Sequence, residues 1–141
     1  MKAFVEKSQD YAHLNPRLKS LAAKIYLEAG DMQSLAHAYS KADKLYTEAL
    51  AYGEYHAILK ERGENNYRRK QYEEALRDLN RAIELYQENG LYFHWRAKTY
   101  AKLKQYDTAA EDMLQANLLE PGNEDIASQG RALSRHSSER V

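Results

Sequence analysis

Residues 61–86 read ERGENNYRRKQYEEALRDLNRAIELY, and the spacing inside that stretch decides the fold. A short break at Lys70-Gln71 separates two helical patterns, one over 55–69 and one over about 72–86. In the second pattern Ala75, Leu79, Ala82 and Ile83 fall four, three and one residues apart, which gathers them on a single helix stripe. Arg77, Asp78, Arg81 and Glu84 lie between them and are expected to face water.

The same design recurs on both sides. Gly30, Gly63 and Ala97 share one register, as do Tyr39, Tyr72 and Tyr106. So do Ala42, Ala75 and Ala109, then Tyr46, Leu79 and Met113, then Ala49, Ala82 and Ala116. Every set is spaced 33 and then 34 residues. A fixed period of this size is the mark of stacked supersecondary units. The small residues suit a close crossing of two antiparallel helices, with Ala75 and Ala109 at the crossing and Gly63 supplying the matching gap. The third unit stops at Leu118-Leu119-Glu120-Pro121-Gly122, where Pro and Gly end a helix.

Composition agrees. The chain has 141 residues, 43% apolar and 30% charged, with only 6 Gly and 2 Pro, too few turn residues for a sandwich or barrel. Twenty-one basic residues balance 21 acidic ones, which argues against nucleic-acid binding. The absence of Cys excludes disulfides and thiolate metal sites. No stretch approaches the roughly 20 apolar residues that span a bilayer, and the opening MKAFVEKSQD has no signal-peptide core. A cytoplasmic protein without membrane contact is the expectation.

These columns resemble the tetratricopeptide repeat (TPR) family, whose pattern is W-x2-L-G-x2-Y, then A-x3-F, then A, then P. The middle unit matches through Gly63, Ala75, Leu79 and Ala82. The third matches through Phe93, Tyr100, Ala109, Met113, Ala116 and Pro121, and the first through Tyr26, Ala29-Gly30, Ala42, Tyr46 and Ala49. The resemblance covers roughly 23–123. The departures are Arg62 and Arg96 where Leu is usual, and Gln33 and Asn66 where Tyr is usual.

The expected fold is therefore all-α: an α-solenoid of three TPR-like helix pairs in one domain over 1–141. The repeats fall at about 23–55, 56–89 and 90–123. A short N-terminal helix is expected over 3–13. Asn15-Pro16 then opens a helix to about Ala36, Pro suiting a first helical position. Gly30-Asp31 also reads as a helix–helix turn, but the five-column match places Gly30 inside a helix. A capping helix over 124–134, with Asn123 as its cap and Ile126, Ala127 and Leu133 against the stack, precedes a disordered tail at 136–141.

Chemistry is sparse. His13, His37, His56, His94 and His136 show no metal-ligand spacing and read as exposed helical side chains. There is no phosphate loop and no nucleophile elbow. Carboxylate pairs such as Glu73-Glu74 and Glu111-Asp112 read as exposed. No enzyme activity, cofactor or metal is expected.

The resemblance implies instead a concave groove lined by the first helix of each pair. Its peptide-contacting positions carry over to Lys60, Glu64, Tyr67 and Arg68 in the middle unit and Leu91, His94, Lys98 and Lys102 in the third. In the first unit they are Lys24, Leu27, Asp31 and Ser34. The second and third sets hold four cations and one acid, a locally cationic wall suited to an acidic or C-terminal segment of a partner protein, with Tyr67 and Leu91 giving apolar contact. The family's carboxylate clamp is not reproduced. Leu27 and Asp31, Arg62 and Glu64, and Leu91 and Trp95 stand at its places. Trp95, the only Trp, reads either as a groove anchor or as packing between repeats. A protein-interaction module, adaptor or assembly factor is the leading function. Self-association through an end helix or the Tyr-rich faces is the alternative, and RNA binding a weaker third.

Overall fold

A computed structural model describes residues 14–139, and all seven of the elements it describes are helices. They are α1 (Pro16–Leu35), α2 (Tyr39–Leu50), α3 (His56–Arg68), α4 (Tyr72–Leu85), α5 (Gly90–Lys102), α6 (Tyr106–Leu119) and α7 (Glu124–Glu139). The helices pack as consecutive hairpins α1–α2, α3–α4 and α5–α6, each hairpin on the next, and α7 closes the stack on α6. The expected all-α solenoid of three helix pairs is the observed fold. The N-terminal helix expected over 3–13 lies outside the described residues.

Local chemistry sets the ends. Asn15 accepts a hydrogen bond from the Leu18 N–H at 2.9 Å with Pro16 next in line, so α1 begins where a cap and a Pro coincide. Gly30 lies inside α1, which settles its reading as a helical residue and not a turn. Asn123 caps α7 through the Ile126 N–H at 3.2 Å. The last helix continues to Glu139, so residues 136–139 are helical and not a disordered tail. No Gly or Pro after Gly130 interrupts that run.

The three hairpin turns are copies of one another. His37, Lys70 and Lys104 hold φ of 61°, 64° and 63°. In each turn the following N–H reaches back five residues, from Ala38 to the Gln33 carbonyl, from Gln71 to Asn66 and from Gln105 to Tyr100. This is the Schellman closure, which satisfies helix-end carbonyls through one left-handed residue.

Ala42, Ala75 and Ala109 are fully buried, as are Ala49, Ala82 and Ala116. Beside them Gly30 and Gly63 admit large partners. A Cβ on Gly30 would lie 2.6 Å from the Tyr46 ring, and one on Gly63 would lie 2.9 Å from Leu79 Cγ. Two clusters make the core. One joins Ala23, Ala42, Tyr46, Ala49, Tyr52 and Ile58. The other includes Leu59, Ile83, Phe93, Met113 and Ile126.

Asp78 and Asp112, expected to face water, are buried. Each meets an arginine from the first helix of its own pair. Arg62 forks onto Asp78 with bonds of 2.9 and 2.8 Å, and Arg96 onto Asp112 with 2.7 and 2.8 Å. A third guanidinium hydrogen bond reaches back to the preceding pair, from Arg62 to Thr47 and from Arg96 to Asn80. The arginines at these apolar family positions are thus matched by buried acids sixteen residues on. His94 is also buried, and His56 donates or accepts at the Tyr92 hydroxyl and stacks on Tyr86, so neither is a freely exposed imidazole.

Candidate functional site

The first helices of successive pairs touch one another, α1 on α3 and α3 on α5, and so form one continuous inner face. The sequence-derived positions fall on this face in two halves of different chemistry.

The half nearer α1 is acidic and charge-balanced. Lys60 pairs with Glu61 at 3.1 Å and Glu64 at 3.7 Å, and Glu64 also meets Arg68 at 3.6 Å. Asp31 accepts a hydrogen bond from the buried Tyr46 hydroxyl at 2.7 Å. Burial pushes the Asp31 and Glu61 carboxyls above the usual carboxylate range. These groups, with Ser34, Leu35 and Tyr39, border a cavity of about 470 Å³. Lys60 is therefore not a free cation, and Glu61, one residue along and outside the expected groove positions, adds a second acid to the four cations and one acid of the expected locally cationic wall.

The half nearer α7 is aromatic and cationic. The Tyr67 and Trp95 rings meet edge to face with centroids 5.4 Å apart. The Lys98 ammonium lies 4.1 Å from the Trp95 centroid and 5.4 Å from that of Tyr67, and the Arg68 guanidinium lies 5.4 Å from Trp95. Burial, then the neighbouring Arg68 charge, holds the Lys98 amine below its ordinary value. Among the described residues neither Lys98 nor Lys102 forms an ion pair with a carboxylate. Trp95 is buried between pairs through Tyr67 while two cations sit over its ring, so the two readings of this residue meet in one arrangement.

Beside Trp95, His94 is 8% exposed and its Nδ1 has no hydrogen-bond partner. Burial first, then the Lys98 charge, lowers its pKa to about 4, so the imidazole is neutral near pH 7. Leu91 is exposed at the start of α5 and takes no part in these ring contacts or ion pairs. A second cavity of about 320 Å³ lies between Tyr67, Lys98, Lys102 and the α7 residues Gln129 and Leu133. The capping helix thus borders the groove, which the repeat spacing alone does not reveal because α7 lies outside the period.

Among the described residues no cluster of His, Asp and Glu is built to hold a metal, and no helix is long and apolar enough to cross a membrane.

No family model matches the chain, and no curated protein matches it. Solved structures do. The first TPR of Spaghetti (RPAP3), bound to the HSP90 peptide SRMEEVD, superposes with a TM-score of 0.82 at 22% identity, over 84% of this chain and 95% of that one. The Arabidopsis OM64 TPR domain gives 0.81 at 24% identity, over 84% and 98%. The second TPR domain of human RPAP3, in complex with the HSP70 peptide SGPTIEEVD, gives 0.75 at 23%, over 85% and 98%. The three stacked helix pairs of this chain have the TPR fold.

Proposed function

We propose that this chain is a non-catalytic protein-interaction module that takes an acidic segment of a partner, such as an acidic C-terminus, along the α3–α5 half of its inner face. The observation that carries the reading is the Lys98 ammonium over the Tyr67 and Trp95 rings, with Lys102 on the same cavity and neither lysine in an ion pair among the described residues. An anionic side chain or terminal carboxylate arriving there meets the partly desolvated Lys98 ammonium, where charge–charge attraction exceeds its value in water, with the exposed Lys102 beside it. The rings supply flat apolar area for aliphatic parts of the segment, and aromatic residues dominate interface energetics. TPR domains of this fold are bound to the HSP90 peptide SRMEEVD and the HSP70 peptide SGPTIEEVD in the RPAP3 complexes, and the acidic residues of those peptides support the choice of ligand class. Leu27, Asp31 and Leu91 stand where a carboxylate clamp needs cationic or amide groups, so recognition here would run through Lys98 and Lys102 and not through that clamp.

Trp95 is the only Trp, so its emission reports directly on this site. Titration with acidic decapeptides bearing a free C-terminus should shift that emission, and basic peptides should not. Lys98→Glu with Lys102→Glu should weaken binding by at least tenfold, about 1.4 kcal/mol. Lys60→Glu should have a smaller effect because Lys60 is already neutralised. Acidic peptides that leave Trp95 emission unchanged, or bind equally well to the charge-reversed protein, reject the reading.

A further inference from the structure

One face of α1 carries an apolar seam that the described residues leave exposed. Leu18, Leu21, Ile25, Met32 and Leu35 are between 50% and 82% exposed. With Glu28 in the remaining place, they are spaced three, four, three, four and three residues apart. That is the a/d spacing of a coiled-coil seam, sustained over nearly the whole helix. The opposite face of α1 carries the buried Ala23 and Gly30, so the seam is not the face that packs on the stack. Single exposed leucines are ordinary, but a contiguous stripe of five large apolar side chains marks an interaction surface.

We propose that the occupant of this face is a second copy of the chain, docked with the two α1 helices antiparallel about a twofold axis. The seam is self-complementary in that arrangement. An axis midway between Tyr26 and Leu27 sets Leu18 opposite Leu35, Leu21 opposite Met32 and Ile25 opposite Glu28, and each layer pairs one a place with one d place. A twofold interface requires this matching of one patch with itself. Charge fits as well. Lys24, beside Ile25, is exposed, and among the described residues neither it nor Glu28 forms an ion pair within its own chain. The antiparallel register brings Glu28 of each copy beside Lys24 of the other. A parallel register would instead set Glu28 against Glu28 within the apolar seam, and like charges there oppose it. The Tyr67–Trp95–Lys98 site lies on α3 and α5 and shares no residue with the seam.

Sedimentation equilibrium of the full chain, from low to high micromolar, should show a monomer–dimer equilibrium. Leu21→Lys with Met32→Lys should weaken it by at least tenfold, with the far-ultraviolet circular dichroism unchanged. Lys24→Glu and Glu28→Lys should each weaken self-association, and an equimolar mixture of the two variants should restore it, because every facing pair is again opposite in sign. The chain has no Cys, so orientation can be read directly. Mixed Leu18→Cys and Leu35→Cys proteins should form an intermolecular disulfide on mild oxidation. Neither alone should do so, since like ends lie about 25 Å apart along the helices. A chain that stays monomeric throughout, its α1 face bare or covered by its own residues, overturns the proposal. So does a dimer indifferent to the Leu21 and Met32 changes, or a disulfide formed by either single-Cys protein alone.

Discussion

His37, Lys70 and Lys104 sit at a backbone conformation that costs an L-residue on the order of 1 kcal/mol and glycine almost nothing. Each is exposed, and among the described residues none forms an ion pair that would offset the cost. Lys70→Gly should therefore raise stability by about 0.5–1 kcal/mol, the extra freedom of glycine in the unfolded chain cancelling part of the relief. Lys70→Ala should give no gain, and urea midpoints of the two variants compare them directly. The break at Lys70-Gln71 is legible from hydrophobic spacing, but the left-handed residue is not, because lysine gives no turn signal. His94 was illegible for a related reason: spacing within α5 reads it as an exposed helical residue, while its burial depends on groups from other helices, among them Lys60 on α3 and Asp125 on α7. Unfolded, its imidazole titrates near 6.5. Folded, it titrates at about 4. The unfolded state thus takes up the proton first. The stability present above about pH 6.5 is lost as pH falls toward about 4, with a slope approaching 1.4 kcal/mol per pH unit. Lys98 and Lys60 press in that direction and Asp125 against it, while the raised Asp31 and Glu61 carboxyls act oppositely from the ordinary carboxylate range upward. His94→Gln should flatten the slope between pH 6.5 and 4, measured as urea midpoints against pH.

Between helices, the arginine–aspartate forks distinguish the second and third pairs from the first, where Ala29 and Leu45 occupy the same register. Arg62 and Arg96 are spaced 34 apart, as are Asp78 and Asp112, and each arginine precedes its acid by sixteen residues. That coincidence was available in the sequence. It escapes a reading of one helix at a time, which assigns each charged residue between apolar ones to solvent. The alanine, glycine and aromatic columns were legible because size alone decides a close crossing, whereas a buried charge is intelligible only with its partner on the facing helix. Arg62→Leu alone leaves the Asp78 carboxylate with only the Asn66 amide, at 3.3 Å. Because Arg62 is a quarter exposed, the loss should be about 2–3 kcal/mol, below the full value for a dry pair. Adding Asp78→Leu should recover most of it, since paired apolar replacements of buried ion pairs are often neutral. A double-mutant cycle by chemical denaturation measures this, and two additive losses would contradict it.

Across the whole molecule, stability should run along the stack, since the main contacts of each pair are with its neighbours. The core divides accordingly, one cluster in the first pair and the start of α3, the other from Leu59 through Phe93 and Met113 to the closing helix. The period and the pairing of helices were legible, because they repeat. The groove's division into an acidic and a cationic half was not, because it arises from neighbours such as Glu61 and from α7, which stands outside the repeat. Ile126 is the anchor of that closing helix: it has no exposed surface, and Leu133 packs against the same cluster. Ile126→Ala should cost about 2–5 kcal/mol, the range for emptying a fully packed aliphatic site. In a nearest-neighbour stack that loss should be local. Hydrogen exchange should quicken in α6 and α7 first, then in α5, while α1 and α2 keep their protection. The loosened α7 would also uncover the Tyr67–Lys98 cavity it borders, so Trp95 emission should shift to longer wavelength at denaturant concentrations that leave α1 and α2 protected. Uniform loss of protection over all seven helices would instead mean that the chain melts as one unit and that the closing helix stabilises the far end as strongly as its own.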